Sequence, residues 1–170
     1  MSSYPPSTIM LFENKANTIR ALLKERHETL AVAESVTAGY VQAILSSADE
    51  ATFFFQGGIT VYNIGQQCKH LQIDPIEALQ SNGVSAKVAF QMSLGVQQLF
   101  RSDYGIAITG YAAPLPEKNV HDIFAFVAVT YRGEVLTLEK ITSDKGAAPA
   151  VQVDYAEQVL RILEECLKGS

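Results

Sequence analysis

Cysteine is scarce: Cys68 and Cys166 are the only two in 170 residues, and they form no CxxC pair. A disulfide framework is thereby excluded, and two reduced thiols in a cytoplasmic protein are expected. Neither cysteine has zinc-ligand spacing with His27, His70 or His121, so no metal is expected. Basic residues are outnumbered: 13 Lys and Arg face 18 Asp and Glu, for a net charge of −5. With no basic run either, nucleic-acid binding through a broad basic face is disfavoured. Apolar runs break within about ten residues, short of the roughly 20 that a membrane span needs, so no membrane partner is expected. The opening Met-Ser-Ser-Tyr-Pro-Pro has no basic segment leading into an apolar one, so no secretory signal is expected. Walker A and GxGxxG patterns are missing, as are repeats and any spacing that pairs two carboxylates for acid–base work.

What remains is a chain 48% hydrophobic and 18% charged, enough to bury a core unaided. Residues 1–8 read as a flexible tail and 9–170 as one domain. Phe12, Ala16, Ile19, Leu22 and Leu23 recur at helical spacing up to about His27. Leu30 to Glu34 reads as a buried strand, with Ser35 to Gly39 opening a helix to about Ser46. Phe53 to Tyr62 reads as a strand bent or bulged at Gly57-Gly58. Helical pieces follow from Ile64 to Leu71 and from about Ile76, the second opened by Pro75. After the turn Ser81-Asn82-Gly83, Ser85 caps a helix carrying Val88, Met92, Val96 and Leu99. Tyr104 to Ile108 is a strand ending in Thr109-Gly110, and Tyr111 to His121 is a loop. Ile123 to Tyr131 is expected as a central strand covered on both faces. Arg132-Gly133 turns it into a hairpin partner, Glu134 to Ile141. Ala156, Leu160, Leu163 and Leu167 mark a last helix. The alternation predicts a three-layer α/β/α sandwich with a mixed β-sheet.

Ligands of open α/β sheets favour the crevice beyond the carboxyl ends of the strands. Two polar turns follow apolar strands in that way: Glu34-Ser35-Val36-Thr37-Ala38-Gly39, and Thr109-Gly110 with the loop behind it. At a helix start, Ser35 is a candidate nucleophile or phosphate ligand, and free N–H groups there would stabilise an anion. Spacing alone favours the plainer reading, in which Ser35 or Thr37 caps the helix. Thr109-Gly110 is an ordinary turn by itself, Tyr62 can hydrogen-bond or simply pack, and His121 reads as a solvated loop residue.

Together these segments resemble one family. Ala33-Glu34-Ser35-Val36-Thr37-Ala38-Gly39 is similar to its AESCTGG signature. Phe55-Gln56-Gly57-Gly58-Ile59-Thr60-Val61-Tyr62-Asn63 is similar to FxGGxxxYS, and Val84-Ser85 with the following helix to VSxxVAxxMAxG. Tyr104 to Pro114 resembles xGIAxTGIAGP, and Pro116-Glu117-Lys118 the PEK behind it. The family is that of the CinA C-terminal domain, whose active members are nicotinamide mononucleotide amidohydrolases. The resemblance runs in order from about residue 10 to the end. It implies that water replaces ammonia on the carboxamide, leaving nicotinate mononucleotide. Ser35 would be the nucleophile, with Tyr62 and Thr109 orienting substrate or relaying a proton. Glu34, Thr37, Gly39, Gly58, Gly110 and Lys145 fall on positions expected to bind substrate. The scheme needs no cofactor and no metal. Self-association follows from the family, not from any sequence feature.

The chain also departs from the family pattern. Gln67 stands where the family has a lysine, and a glutamine is neither a general base nor a charge. The loop after Pro114 is about three residues shorter than PGGGTPEK and lacks its glycines. Ser143-Asp144-Lys145 replaces GDR, and a second family arginine falls near Pro149-Ala150. Val36 replaces the signature Cys and Ala38 its first Gly, a change of no consequence where the backbone is helical. Three readings follow: an amidohydrolase with a changed base or substrate, a catalytically degenerate relative binding a nucleotide or a partner protein, and a structural subunit. A base within reach of Ser35 distinguishes the first, a similar pocket without one the second, and a closed pocket the third.

Overall fold

The computed structural model describes residues 12–169, so the expected tail, residues 1–8, lies outside the described residues. The sheet has five strands in the order β2-β1-β3-β4-β5. They are β1 (Leu30–Glu34), β2 (Phe55–Thr60), β3 (Tyr104–Gly110), β4 (Ala125–Tyr131) and β5 (Glu134–Ile141). β1 is parallel to β2 and β3, β4 runs antiparallel to β3, and β5 is antiparallel to β4, so the sheet is mixed as predicted. β3 is the middle strand, and the expected central strand, β4, lies beside it. The partners of β1 shift between Leu30–Phe55 and Ala31–Gly57, which is the bulge read from the glycine pair.

The period-2 geometry of β1 and β3 sorts their side chains between two helical layers. Leu30, Val32, Tyr104, Ile106 and Ile108 pack with α1 (Glu13–Arg26), α2 (Tyr40–Ser46) and α6 (Ala148–Gly169). Ala31, Ala33 and Ala107 pack with α3 (Ile64–Leu71), α4 (Pro75–Gln80) and α5 (Ala86–Phe100). Small residues on that second face let α5 lie close. A Cβ at Gly105 would stand 2.0 Å from the Ser93 carbonyl oxygen, so only glycine fits there. Fully buried aliphatics such as Ile106 and Leu163 each contribute roughly 1.5–3 kcal/mol.

Several boundaries differ from expectation: β2 spans Phe55–Thr60 where Phe53 to Tyr62 was expected, and β4 starts at Ala125 where Ile123 was expected. α6 starts at Ala148, earlier than its apolar periodicity suggested, with Pro149 tolerated in its first turn. More consequentially, Ser35 to Gly39 is a turn, and α2 begins at Tyr40. Ala38 takes φ 51° and Gly39 φ 105°, so the backbone at the replaced signature glycine is left-handed, not helical.

Candidate ligand-binding cleft

The three parallel strands end side by side, and a cleft of about 610 Å³ opens beyond their carboxyl ends. Ser35 follows β1, Tyr62 lies two residues past β2, and Thr109-Gly110 closes β3; all four line the cleft. Ser35 is 9% exposed, and no residue among those described hydrogen-bonds its hydroxyl. Tyr62 is 66% exposed at the rim. Thr109 is fully buried and its Oγ1 donates to the Gly83 carbonyl at 2.6 Å. Thr109 therefore holds the 82–84 turn against the strand end.

The remaining candidate substrate residues lie elsewhere. The carboxyl of Glu34 is fully buried and accepts from the N–H groups of Gly39 (3.0 Å), Val41 (3.1 Å) and Gln42 (2.8 Å), and from the Thr37 hydroxyl. Glu34 thus fills the anion site that the start of α2 would otherwise offer, which explains why α2 needs no Ser or Thr cap. Ser35 is not at the helix start, and its own N–H donates to Ile108 O at 3.0 Å. Of the N–H groups expected to stabilise an anion at the head of a Ser35 helix, those of Ser35 and Ala38 are therefore already used. Among the described residues, Val36 and Thr37 are left with N–H groups that have no acceptor. Gly58 faces Gln42, where a Cβ would meet that side chain at 2.6 Å. Lys145 pairs with Asp144 at 3.0 Å; that carboxylate raises the lysine's pKa, and both side chains stay in solvent.

Further lining comes from parts of the chain with no catalytic signature. Gln67 on α3 is 3% exposed; its Nε2 lies 3.4 Å from Gly83 O and its Oε1 has no partner. Gly83 sits at φ +71°, and a Cβ there would stand 2.6 Å from Gln67 Oε1. Asn82 Nδ2 donates to the Tyr111 hydroxyl at 3.3 Å. Gln152 on α6 reaches 116 residues back to donate to Val36 O at 2.8 Å. The Tyr155 hydroxyl donates to Tyr111 O at 3.2 Å, and burial pushes its pKa up to about 12. Asn82-Gly83 was readable as a turn, but its approach to Thr109 depends on how α5 seats on the sheet. No spacing in the sequence links Gln152 to Val36.

No Asp, Glu, Lys, Arg or His is among the described residues that line the cleft. The hydroxyls of Ser35, Tyr62 and Tyr111, side-chain amides and backbone supply its polarity. A smaller depression of about 410 Å³ adjoins it and shares Asn82, Val84 and Tyr111. Lys118 and Lys140 line this depression with His121 and the one acid Asp122, so its lysines outnumber its acids. Lys140 Nζ lies 4.3 Å from the centroid of the Phe124 ring, a cation–π contact. Among the described residues no cluster of three or more His, Cys, Asp or Glu could hold a metal, and no helix is long and apolar enough to cross a membrane.

The family model for the CinA C-terminal domain matches residues 12–167. A CinA-like protein of Thermosynechococcus vestitus is 37% identical over 127 residues, covering 73% of this chain and 30% of the relative. One from Synechocystis is 41% identical over 116 residues, covering 66% of this chain and 28% of the relative. The chain thus spans less than a third of the length of these curated relatives. A CinA superfamily protein from Klebsiella pneumoniae has the same fold, with a TM-score of 0.87 at 23% identity over 97% of this chain and all of that one. The competence/damage inducible protein CihA from Agrobacterium tumefaciens superposes with a TM-score of 0.83 at 20% identity, over 98% of this chain and 99% of its own.

Proposed function

The chain belongs to the CinA C-terminal domain family, and from that premise we propose that its cleft binds the carboxamide end of a pyridine mononucleotide without hydrolysing it. One observation carries this reading: among the described residues, none that lines the cleft is a base able to take the Ser35 proton. Serine is a weak nucleophile until an adjacent general base activates it. The position that would supply an amine in the family holds Gln67. Amide and hydroxyl groups around an open volume suit recognition of a small polar ligand. With the base beside Ser35, the phosphate of such a ligand has room toward Lys118, His121 and Lys140 in the adjoining depression.

A second reading is amidohydrolysis with Ser35 as nucleophile. It is favoured by the unengaged Ser35 hydroxyl and by the neighbouring Val36 and Thr37 N–H groups, which are suited to a developing oxyanion. Ammonia release from nicotinamide mononucleotide, measured beside Ser35→Ala and paired with calorimetric titration, separates the two. Binding heat with no ammonia above the variant supports the binder. Ammonia that disappears with Ser35→Ala establishes the hydrolase.

A further inference from the structure

Among the described residues, three buried side-chain atoms lack a hydrogen-bond partner: Arg20 Nε, Glu28 Oε2 and Gln67 Oε1. Of these, Gln67 alone belongs to a residue lining the cleft. A buried acceptor without a donor is costly, and a ligand that supplies the donor recovers that cost on binding. The orientation of the amide is set within the fold. Its Nε2 is committed to Gly83 O, which the Thr109 hydroxyl holds in place, so Oε1 is the group left for a ligand.

We propose that Gln67 reads the ligand's carboxamide: Oε1 accepts a hydrogen bond from its NH₂, and the cleft rejects the corresponding carboxylate. The inference rests on the reading above that a carboxamide ligand occupies the cleft. A carboxylate has no proton to give Oε1 and would set oxygen against oxygen. No cation among the lining residues would compensate its desolvation. A lysine ammonium at this position would offer donors and no acceptor, and so would hold a carboxylate. Glutamine reverses that polarity, so that the deamidated acid becomes the poorer ligand.

The test is calorimetric titration of the full chain with nicotinamide mononucleotide and with nicotinate mononucleotide, which differ only in the amide. The amide is expected to bind at least about tenfold more tightly, as for sites built around one buried hydrogen bond. Gln67→Met, similar in size but with no oxygen acceptor, is expected to bring the preference below about threefold. Equal affinities in the natural protein overturn the inference and leave the binding reading standing; so does an undiminished preference in Gln67→Met. If neither mononucleotide binds, both fall. The comparison in the natural protein does not depend on the variant folding.

Discussion

Glu34 and Gln67 are both buried polar side chains near the carboxyl end of β1, and the fold treats them in opposite ways. Glu34 faces α2, and three N–H groups and one hydroxyl close around its carboxyl. Gln67, on the other helical layer, makes one long hydrogen bond, keeps its buried Oε1 unpartnered, and is itself a lining residue of the cleft. A polar group satisfied by its own chain is structural, and nothing is gained by bringing it a ligand. One left short is where a ligand has something to add. The residue next to the serine in the signature is therefore part of the scaffold, and the substituted one on α3 is the reader.

Perturbing the two sides should have effects of different kind. The largest is expected for Glu34→Ala, which strips the acceptor from the head of α2 and from Thr37. A loss of about 3 kcal/mol in folding free energy should appear in denaturant titration, because charge-assisted hydrogen bonds are the strong ones. On the other side, Gln67→Lys places an amine in a cleft whose described lining holds no base. Ammonia release from nicotinamide mononucleotide, absent in the natural protein, should then appear at about 100-fold above the uncatalysed background, and Ser35→Ala in the same background should remove it. No gain would mean that the missing base is not what holds Ser35 inactive.

Gly83→Ala sharpens the comparison from within. The φ of +71° disfavours any Cβ by roughly 1–2 kcal/mol, and the new methyl would displace Gln67 Oε1. Modest destabilisation together with a lost preference for amide over acid is the expected outcome. The smallest effect concerns the adjoining depression. Lys118→Ala with Lys140→Ala should weaken binding of nicotinamide mononucleotide about threefold at low salt, less at high salt, and leave nicotinamide riboside unchanged. An equal loss for the riboside would remove the phosphate from that depression.

Much of the fold was legible in the sequence because it rests on local periodicity. The strands Leu30–Glu34 and Tyr104–Gly110, the Ser85 cap and the Arg132-Gly133 hairpin all follow from short patterns. The start of α2 was not, since Glu34 acts through a tertiary contact five to eight residues ahead of itself, and no capping rule anticipates that. Nor was the glycine-to-alanine change in the signature as neutral as a helical backbone would make it, because Ala38 is left-handed. At the cleft, Ser35, Tyr62 and Thr109 were visible as strand ends and family positions. Asn82, Gly83 and Gln152 join them through packing of α5 and α6, which spacing along the chain does not encode.

The central claim is that the cleft holds an intact amide. The most direct measurement follows the carboxamide carbon of labelled nicotinamide mononucleotide by NMR in the presence of stoichiometric protein. The account predicts a shifted or broadened signal that returns unchanged when the ligand is displaced after long incubation. Conversion of that signal to the carboxylate of nicotinate mononucleotide, dependent on Ser35, would contradict it.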